Sequence, residues 1–320
     1  MIVKYNNAFY DDWQNGILKY GELYHDIRWQ QVLKNTYGLH PEYYVNIEND
    51  KIIGGFPAFR VRNKLISLPH LNYCGEFGEF SVDDLGAMTN CIIYSKKIIY
   101  DPTEICNDDY VTMRLDLPRT KEELWNLIGP KARNLIRKAK KSNFRLENSS
   151  IDNFYNVYCK ATNELGTPPH NKKLFNLINE LFNEITHVKI MWYNGNIVSC
   201  VFEMDFNGIR YDMWAFSIKK YFHLSPNMYL YYELIKNAVT SNIRTYDFGR
   251  SCYNGGTYYF KKQWKSKPFK LSYCLYSRNN NSPKRKELKA MQSVTLSSVW
   301  SRTPSIVANY IGPYIRKYVY

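Results

Sequence analysis

The chain has 320 residues, enough for one large domain or two of ordinary size, and a formal net charge of +14 at pH 7. This charge favours anionic partners: nucleic acid, phosphorylated small molecules or an anionic membrane surface. The seven cysteines are odd in number and show no C-x-x-C spacing. They therefore argue against a disulfide scaffold or a zinc cluster, and we predict no metal site.

The cysteine content fits a reducing compartment. The N-terminal residues show no signal-peptide pattern, and no apolar run is long enough to cross a bilayer. We therefore expect a cytoplasmic protein, either free in solution or in peripheral contact with the inner membrane.

The first third of the chain alternates between helical and β-rich patterns. Asn49, Asp50 and Lys51 separate two β-rich runs and are typical of a hairpin turn. The predicted elements are a helix within residues 8–40 that stops at Gly38, strands at 43–47, 52–60 and 65–69, a helix at 83–96 and a strand at 110–115.

The second part of the chain repeats this order weakly. The strand, turn and strand at 187–205 resemble those at 43–60, which indicates two similar α/β domains. The predicted elements are a helix at 121–141 interrupted at Gly129 and Pro130, helices at 151–165 and 173–182, strands at 187–193, 197–205 and 209–216, a helix at 227–239 and strands at 245–248 and 270–276.

The helix at 131–141 has an unbalanced basic face, made of Arg133, Arg137, Lys140 and Lys141. No acidic residue occurs between Lys131 and Arg145. Because like charges repel, this face indicates contact with phosphate or nucleic acid. The alternative is a solvated charged surface.

The helix at 227–239 begins after a strand and has its own start signals. Ser225 is expected to cap its N-terminus, and Pro226 suits its first position. A helix N-terminus in this place favours an anion site, although an ordinary capped helix explains the same residues.

The stretch from Thr245 to Trp264 is dense in special residues. It is predicted as a strand that breaks at Gly249, a glycine loop, and a second strand that carries Lys261 and Lys262. Two lysines among aromatic residues indicate an anionic ligand with a stackable part. The alternative is a surface hairpin with a glycine turn.

The C-terminal region begins with a polar, basic linker near 279–286. An apolar stripe at helical spacing follows, formed by Ile306, Val307, Tyr310, Ile311, Tyr314, Ile315, Tyr318 and Val319. This amphipathic helix either packs on the preceding domain or lies on a membrane surface, and the sequence leaves both open.

Several motifs together resemble the FemAB-like transferases of the GNAT superfamily, in particular the branch associated with exosortase and exopolysaccharide genes. The resemblance spans about Trp29 to Trp264. The matching segments are 67–75, 133–139, 165–168, 223–227, Asp247–Ser251 and Gly256–Trp264. The sequence contains no Ser-His-Asp, HExxH or P-loop spacing, which argues against a hydrolase, a zincin or a kinase.

The resemblance implies an α/β (α+β) fold of two tandem GNAT-like domains, each a mixed central sheet flanked by helices. We expect the domains at 1–118 and 119–278, followed by the linker and helix at 279–320. It also implies an N-acyl or aminoacyl transferase that modifies an amine of a peptidoglycan-type, cell-envelope or exopolysaccharide precursor. A non-catalytic nucleic-acid- or membrane-binding module is the alternative.

No tightly bound cofactor is implied. The co-substrate would be acyl-CoA or aminoacyl-tRNA, and the acceptor would be nucleotide- or lipid-linked. The chain lacks both the coiled-coil arm of some tRNA-dependent relatives and the glycine-rich loop of CoA-dependent ones, so both donors stay open.

The resemblance also implies roles for single residues. Phe260 and Lys261 match a Phe-Lys pair implicated in catalysis, so Lys261 would stabilise the developing oxyanion or the tRNA terminus, with Lys262 assisting. His223 and Asp247 are alternative proton acceptors, although each also has a purely structural explanation. The expected substrate-binding residues are Arg250, Ser251, Tyr258, Phe260, Trp264, Asn227, Arg133, Asn134, Arg137 and Tyr73.

Overall fold

The computed structural model describes residues 1–100, 105–107, 109–279, 282–287, 300 and 305–317. The described residues of Met1–Thr112 and Phe269–Ala290 form one compact unit, and those of Met113–Pro268 and Met291–Val319 form a second. Both units combine a mixed sheet with helices, so the expected mixed α/β class is confirmed.

The first part of the chain contains short strands and three helices. These are β1 (Ile2–Lys4), α1 (Tyr10–Tyr20), α2 (Trp29–Tyr37), β2 (His40–Pro41), β3 (Tyr44–Glu48), β4 (Lys51–Phe56), β5 (Ala58–Val61), β6 (Lys64–Ser67), β7 (Phe77–Gly78), α3 (Val82–Thr89) and β8 (Ile92–Ile99).

The rest of the chain has longer strands and more helices. These are β9 (Tyr110–Asp116), α4 (Lys121–Leu127), α5 (Pro130–Lys140), β10 (Arg145–Asn148), α6 (Ile151–Glu164), α7 (Lys172–Leu181), β11 (Thr186–Tyr193), β12 (Asn196–Phe206), β13 (Ile209–Ser217), α8 (Pro226–Thr240), β14 (Thr245–Cys252), α9 (Gly256–Lys262), β15 (Lys267–Asn279), β16 (Ser282–Glu287) and α10 (Ser305–Arg316).

The first unit has two sheets. One has the strand order β1-β3-β4-β7, and the other runs β15-β8-β6-β5-β2, with β16 beside β15. The turn between β3 and β4 places Asn49 and Asp50 at positive φ, which matches the twist that a two-residue hairpin needs. The predicted hairpin is therefore confirmed.

The helix predicted at 83–96 is shorter than expected. α3 ends at Thr89, because Asn90 adopts a left-handed conformation that stops the helix. The β-branched Ile92 and Ile93 then open β8, which pairs in parallel with β6. The second half of this prediction is wrong because pairing with β6 decides the structure there.

The second unit contains the sheet order β10-β11-β12-β13-β14-β9. Strands β10 to β13 pair antiparallel, whereas β13 and β14 are parallel and are connected through α8. Aromatic side chains of α6 and α7 pack on one face, where Phe154 contacts Phe202 and Phe175 contacts Trp214. α8 covers the other face, where its Tyr231 packs on Phe248.

Both units contain the same strand–helix–strand arrangement. β6 and β8 pair in parallel over three residues on either side of α3, and β13 and β14 do so on either side of α8. The repeat that the sequence indicated concerns other elements, namely the strand, turn and strand of 43–60 and of 187–205. Antiparallel hairpins are present in both places, β3 with β4 and β11 with β12.

Two predictions near the end of the chain are wrong. The aromatic segment after Gly255 forms α9 instead of a returning strand. Residues expected in a linker form β16, which pairs antiparallel with β15.

The expected apolar helix is present as α10, and Tyr318 and Val319 of the apolar stripe lie outside the described residues. In the described part of the chain, no helix is both long and apolar enough to cross a membrane.

Candidate active site

The candidate site lies where β13 and β14 separate. The two parallel strands pair only over Ile209–Tyr211 and Thr245–Asp247, although β13 continues to Ser217 and β14 to Cys252. Ligands of open α/β sheets bind outside such carboxyl ends. The opening between the strands is thus a place where backbone groups are available to a ligand.

The N-terminus of α8 lies beside the end of β13. The Ser217 hydroxyl donates a hydrogen bond of 2.5 Å to Asn227 Oδ1 in the first turn of the helix. Pro226 occupies the first position as predicted, but the Ser225 side chain makes no capping hydrogen bond. The expected side-chain cap is therefore wrong, because the left-handed backbone of Ser225 (φ 56°) does not present its hydroxyl to the helix.

A β-bulge in β13 determines which side chains face α8. Asp212 pairs with Glu203 on β12, whereas Trp214 pairs with Phe202, so Met213 is an extra residue. Because strand side chains alternate, the bulge places Asp212 and Trp214 on opposite faces. Trp214 packs on α7, and Asp212 contacts α8.

Lys261 joins α9 to the end of β14. Its side chain is only 8% exposed, and its Nζ donates to the carbonyl oxygens of Gly249 (3.0 Å) and Arg250 (2.9 Å). Burial lowers the pKa of the Lys261 ammonium group to about 8, an effect that the carboxylates of Asp212 and Asp247 oppose. Lys261 is therefore a buried cation at the edge of the opening.

Asp212 is a buried carboxyl group with one occupied oxygen. Tyr231 of α8 donates its hydroxyl hydrogen to Oδ2 at 2.5 Å, whereas Oδ1 has no hydrogen-bond partner. Burial raises the pKa of the Asp212 carboxyl to about 7. This group can therefore take up or release a proton near neutral pH.

The carboxylates of Glu203 and Asp247 are also buried, and both act electrostatically on the Asp212 carboxyl group. Glu203 accepts a hydrogen bond of 2.8 Å from the Tyr246 hydroxyl. Asp247 accepts from Arg114 Nε at 2.9 Å and from the backbone N–H of Gly249 at 2.7 Å. Since both Asp247 oxygens have donors, its contacts favour the structural role over the role of proton acceptor.

An aromatic group surrounds Tyr231. Its ring centroid lies 5.2 Å from that of Phe260, 5.5 Å from that of Phe248 and 6.3 Å from that of Trp264. Trp264 is fully buried. Because the Tyr231 ring packs on both Phe248 and Phe260, it holds α8 against β14 and against α9. The predicted binding residues Phe260 and Trp264 contribute to this packing.

The other residues of the predicted motif differ in exposure. Arg250 and Lys262 are exposed, and Lys262 Nζ lies 5.4 Å from the centroid of the buried Tyr258 ring. Ser251 is buried, and its Oγ has no hydrogen-bond partner. Lys261 and Lys262 are therefore not equivalent, because only the first is buried beside the opening.

Two further predicted site residues have surroundings of their own. His223 is exposed in a 3-10 segment before α8, and its Nδ1 lies 3.1 Å from the carbonyl oxygen of Lys220. Within the described residues, no hydrogen bond joins His223 to Lys261 or Asp212. Tyr73 is fully buried in the first unit, where it packs edge to face on Tyr24.

The basic face of α5 is present as predicted. Arg133 is half-buried, and Asn134 accepts a hydrogen bond of 2.9 Å from Arg137 Nη1. The Arg137 guanidinium lies 5.3 Å from the Trp125 ring centroid, and Lys140 Nζ lies 4.7 Å from that of Tyr232. The cations are thus spread over an aromatic surface, which suits a phosphate-bearing ligand.

Sequence reasoning missed Asp212, Tyr231, Glu203 and Arg114. The available signal was the presence of Asp212 and Glu203 inside β-rich apolar runs, since buried charges in strands are rare. Among the described residues, no cluster of His, Cys, Asp and Glu side chains could hold a metal ion.

Comparison with known proteins identifies the fold. Residues 130–262 match the acetyltransferase (GNAT) domain family, and this range includes α5, the bulge of β13 and Lys261. No curated protein sequence matches the chain. The expected GNAT-like fold is confirmed by this match together with three solved structures.

A crystal structure of FemX is similar with a TM-score of 0.59 at 14% identity, over 84% of this chain and 96% of that one. The C-terminal domain of a putative lysylphosphatidylglycerol synthetase from Agrobacterium fabrum is similar with a TM-score of 0.54 at 9% identity, over 84% and 92%. A tandem GNAT protein from the clavulanic acid biosynthesis pathway is similar with a TM-score of 0.54 at 8% identity, over 92% and 99%. At these identities the similarity shows the fold.

Proposed function

We propose that the protein transfers an acyl or aminoacyl group from an activated donor to an amine of a cell-envelope or exopolysaccharide precursor. The observation that carries this proposal is the position of Lys261, a buried cation fastened to the end of β14 where β14 separates from β13. The GNAT match over residues 130–262 supports the acyl-transfer chemistry. FemX and the lysylphosphatidylglycerol synthetase domain share the fold, which supports an envelope acceptor.

The chemistry requires little beyond alignment and charge stabilisation. The amine nitrogen forms a bond to the donor carbonyl carbon, negative charge develops on the carbonyl oxygen, and the bond to the thiolate or ribose oxygen then breaks. A lysine ammonium has three N–H donors, and the carbonyls of Gly249 and Arg250 occupy two. In the proposed mechanism the third N–H of Lys261 stabilises the developing oxyanion.

The attacking amine must also lose a proton. We assign this proton to Asp212 in preference to His223 or Asp247, because Asp212 Oδ1 has no partner and its pKa lies near neutrality. Tyr231 holds the other oxygen and thereby orients the carboxyl group. At the end of the reaction Asp212 gives this proton to the leaving thiolate or alkoxide, which restores the carboxylate.

Charge on α5 suggests where the rest of a substrate binds. In this proposal Arg133 and Arg137 contact the phosphates of a nucleotide- or lipid-linked acceptor, or of the donor, and Arg250 binds a further phosphate or carboxylate. Both acyl-CoA and aminoacyl-tRNA are cytoplasmic, so we place the reaction in the cytoplasm or at the inner face of its membrane.

The donor can be identified by thermal unfolding. A panel of acyl-CoA thioesters, free CoA, aminoacyl-tRNA and uncharged tRNA is added to wild type and to Lys261→Met. We expect one donor class to raise the Tm of the wild type through binding to the native state, and to support transfer to an amine. Stabilisation by acyl-CoA alone would rule out the tRNA version.

The second candidate function is a non-catalytic module that binds nucleic acid or membrane, which the basic face of α5 favours. It would be supported if RNA bound wild type and Lys261→Met equally and no donor gave transfer. Arg137→Glu serves as a control in both cases, because it should weaken phosphate contact without touching Lys261.

A further inference from the structure

In helix α10 two small residues are buried and five large apolar residues are exposed. Ala308 is fully buried, and Gly312 is buried so closely that a Cβ there would lie 2.5 Å from Pro169 Cδ. In contrast, Tyr310 is 74% exposed and Tyr314 is 67% exposed. The outer face of α10 consists of Val307, Tyr310, Ile311, Tyr314 and Ile315.

This arrangement is the reverse of an ordinary surface helix. Such a helix turns its apolar stripe to the core and its polar residues to water. Here Gly312 lies against Pro169, while five aliphatic and aromatic side chains of α10 face outward. A contiguous exposed apolar surface of this kind marks an interaction site.

The charge of this region indicates the kind of partner. Between Leu288 and Tyr320 the sequence contains Lys289, Arg302, Arg316 and Lys317 but no acidic residue. The whole chain carries a net charge of +14. A basic segment with an apolar face is attracted to anionic phospholipid headgroups.

The residue types fit the same surface. Tyrosine combines an apolar ring with a polar hydroxyl, which suits the boundary between headgroups and acyl chains. α10 has twelve residues and contains Pro313, so it is too short to cross a bilayer but long enough to lie along one. We propose that the outer face of α10 docks the protein on the surface of an anionic phospholipid bilayer.

This docking does not depend on the acyl-transfer proposal. Since a single short helix inserts only shallowly, binding should be reversible, stronger on anionic than on zwitterionic vesicles, and weakened by salt. It would bring the catalytic unit to the surface at which a lipid-linked acceptor is found.

The test is co-flotation of the full chain with phosphatidylcholine vesicles, with and without phosphatidylglycerol. Replacing Tyr310 and Tyr314 by Asp should lower the fraction bound to the phosphatidylglycerol vesicles by about tenfold. Tyr10 and Tyr20, which are 45% and 49% exposed in α1, provide the matched control. Their replacement by Asp adds the same negative charge and should leave most binding intact.

A second variant keeps the proposal testable if the double Asp variant unfolds. Tyr310→Trp should show a blue shift of fluorescence on phosphatidylglycerol vesicles, because the indole leaves water. Equal flotation of wild type and the Tyr310 and Tyr314 variant would overturn the proposal. So would a wild-type dimer in analytical ultracentrifugation that the same variant dissociates, since the face would then bind a second copy.

Discussion

The hydroxyl group of Tyr231 donates to the carboxyl group of Asp212 across the boundary between α8 and β13, at a distance of 2.5 Å. The Tyr231 ring at the same time packs on Phe260, which precedes Lys261 in the chain. One side chain thus links the buried acid to the helix that carries the buried cation. The protonation states of Asp212 and Lys261 should therefore depend on each other.

Replacing Asp212 by Asn should lower the pKa of Lys261. Burial already lowers this pKa, and Asp212 is the largest negative charge that opposes the effect. Since this pKa falls, the free amine of Lys261 should form, and be acetylated by acetic anhydride, at a lower pH in Asp212→Asn than in wild type. Mass spectrometry of Lys261 acetylation at several pH values measures the shift without requiring turnover, which matters because Asp212 is the proposed proton acceptor.

Tyr231→Phe is the control for that experiment. It removes the hydroxyl donor, whose hydrogen bond lowers the pKa of the Asp212 carboxyl, but leaves an ionisable carboxyl group in place. The acetylation profile of Lys261 should therefore lie closer to that of wild type than the profile of Asp212→Asn does. An unchanged Lys261 acetylation profile in Asp212→Asn would show that the two groups are not coupled.

Lys261 and Lys262 should differ strongly in their effect on transfer. Lys261→Met removes the proposed oxyanion donor and should lower kcat by about 10²–10³-fold with the donor identified by thermal unfolding. Lys262 is adjacent, exposed and stacked over Tyr258, so Lys262→Met should cost less than about tenfold. Equal losses in the two variants would contradict the assignment.

Asp247 should be important for stability. Asp247→Ala would leave the guanidinium of Arg114 buried without its carboxylate, and we expect a loss of about 3–5 kcal/mol in the free energy of unfolding. The matched control is Asp116→Ala, because Asp116 pairs with Lys267 and both side chains are about 70% exposed. Urea unfolding should place this control within about 1 kcal/mol of wild type.

The first unit should lose stability in mild acid because of His25. Burial lowers the pKa of its imidazole from 6.5 to about 4, so the folded state holds the neutral form while the unfolded chain binds a proton. The free energy of unfolding should therefore be highest above pH 6.5 and should fall by about 3 kcal/mol in all as the pH is lowered towards 4. Urea unfolding at several pH values measures it.

His25→Gln is the control. In the wild type the backbone N–H of Glu22 donates a hydrogen bond of 2.9 Å to His25 Nδ1, and the glutamine oxygen can accept this bond in the variant. This variant should be less stable than wild type at pH 7 but should lose less stability between pH 6.5 and 4. A pH dependence identical to that of wild type would assign the acid sensitivity to other groups.

The sequence predicted elements that local residues determine. The hairpin at Asn49 and Asp50, the stop at Gly38 and the interruption of α4 and α5 at Pro130 were all recognisable, because turn, cap and proline preferences act within a few residues. α9 was missed because Tyr258, Tyr259 and Phe260 favour strands locally. Packing against Tyr231 of α8 overrides that preference.

The candidate site was predictable only in part. Lys261 was recognisable from its motif, but its burial depends on Gly249 and Arg250 in a different element. Asp212 could not be assigned a face from the sequence, because the extra residue Met213 reverses the alternation within β13. Its partner Tyr231 is nineteen residues away in the chain and meets it only after the parallel crossover forms.

The bulge at Met213 has a consequence for how this strand can change. Residues before it share a face with α8 and accommodate charge, as Arg210 and Asp212 do, while Trp214 and Phe216 after it contribute to an aromatic layer. Deleting any one residue of β13 would turn the side chains on one side of the deletion to the opposite face of the sheet, so that charged residues would enter the aromatic layer or aromatic residues would face α8. Length is therefore more tightly constrained here than residue type, and a library of single deletions should be depleted across β13 even where substitutions survive.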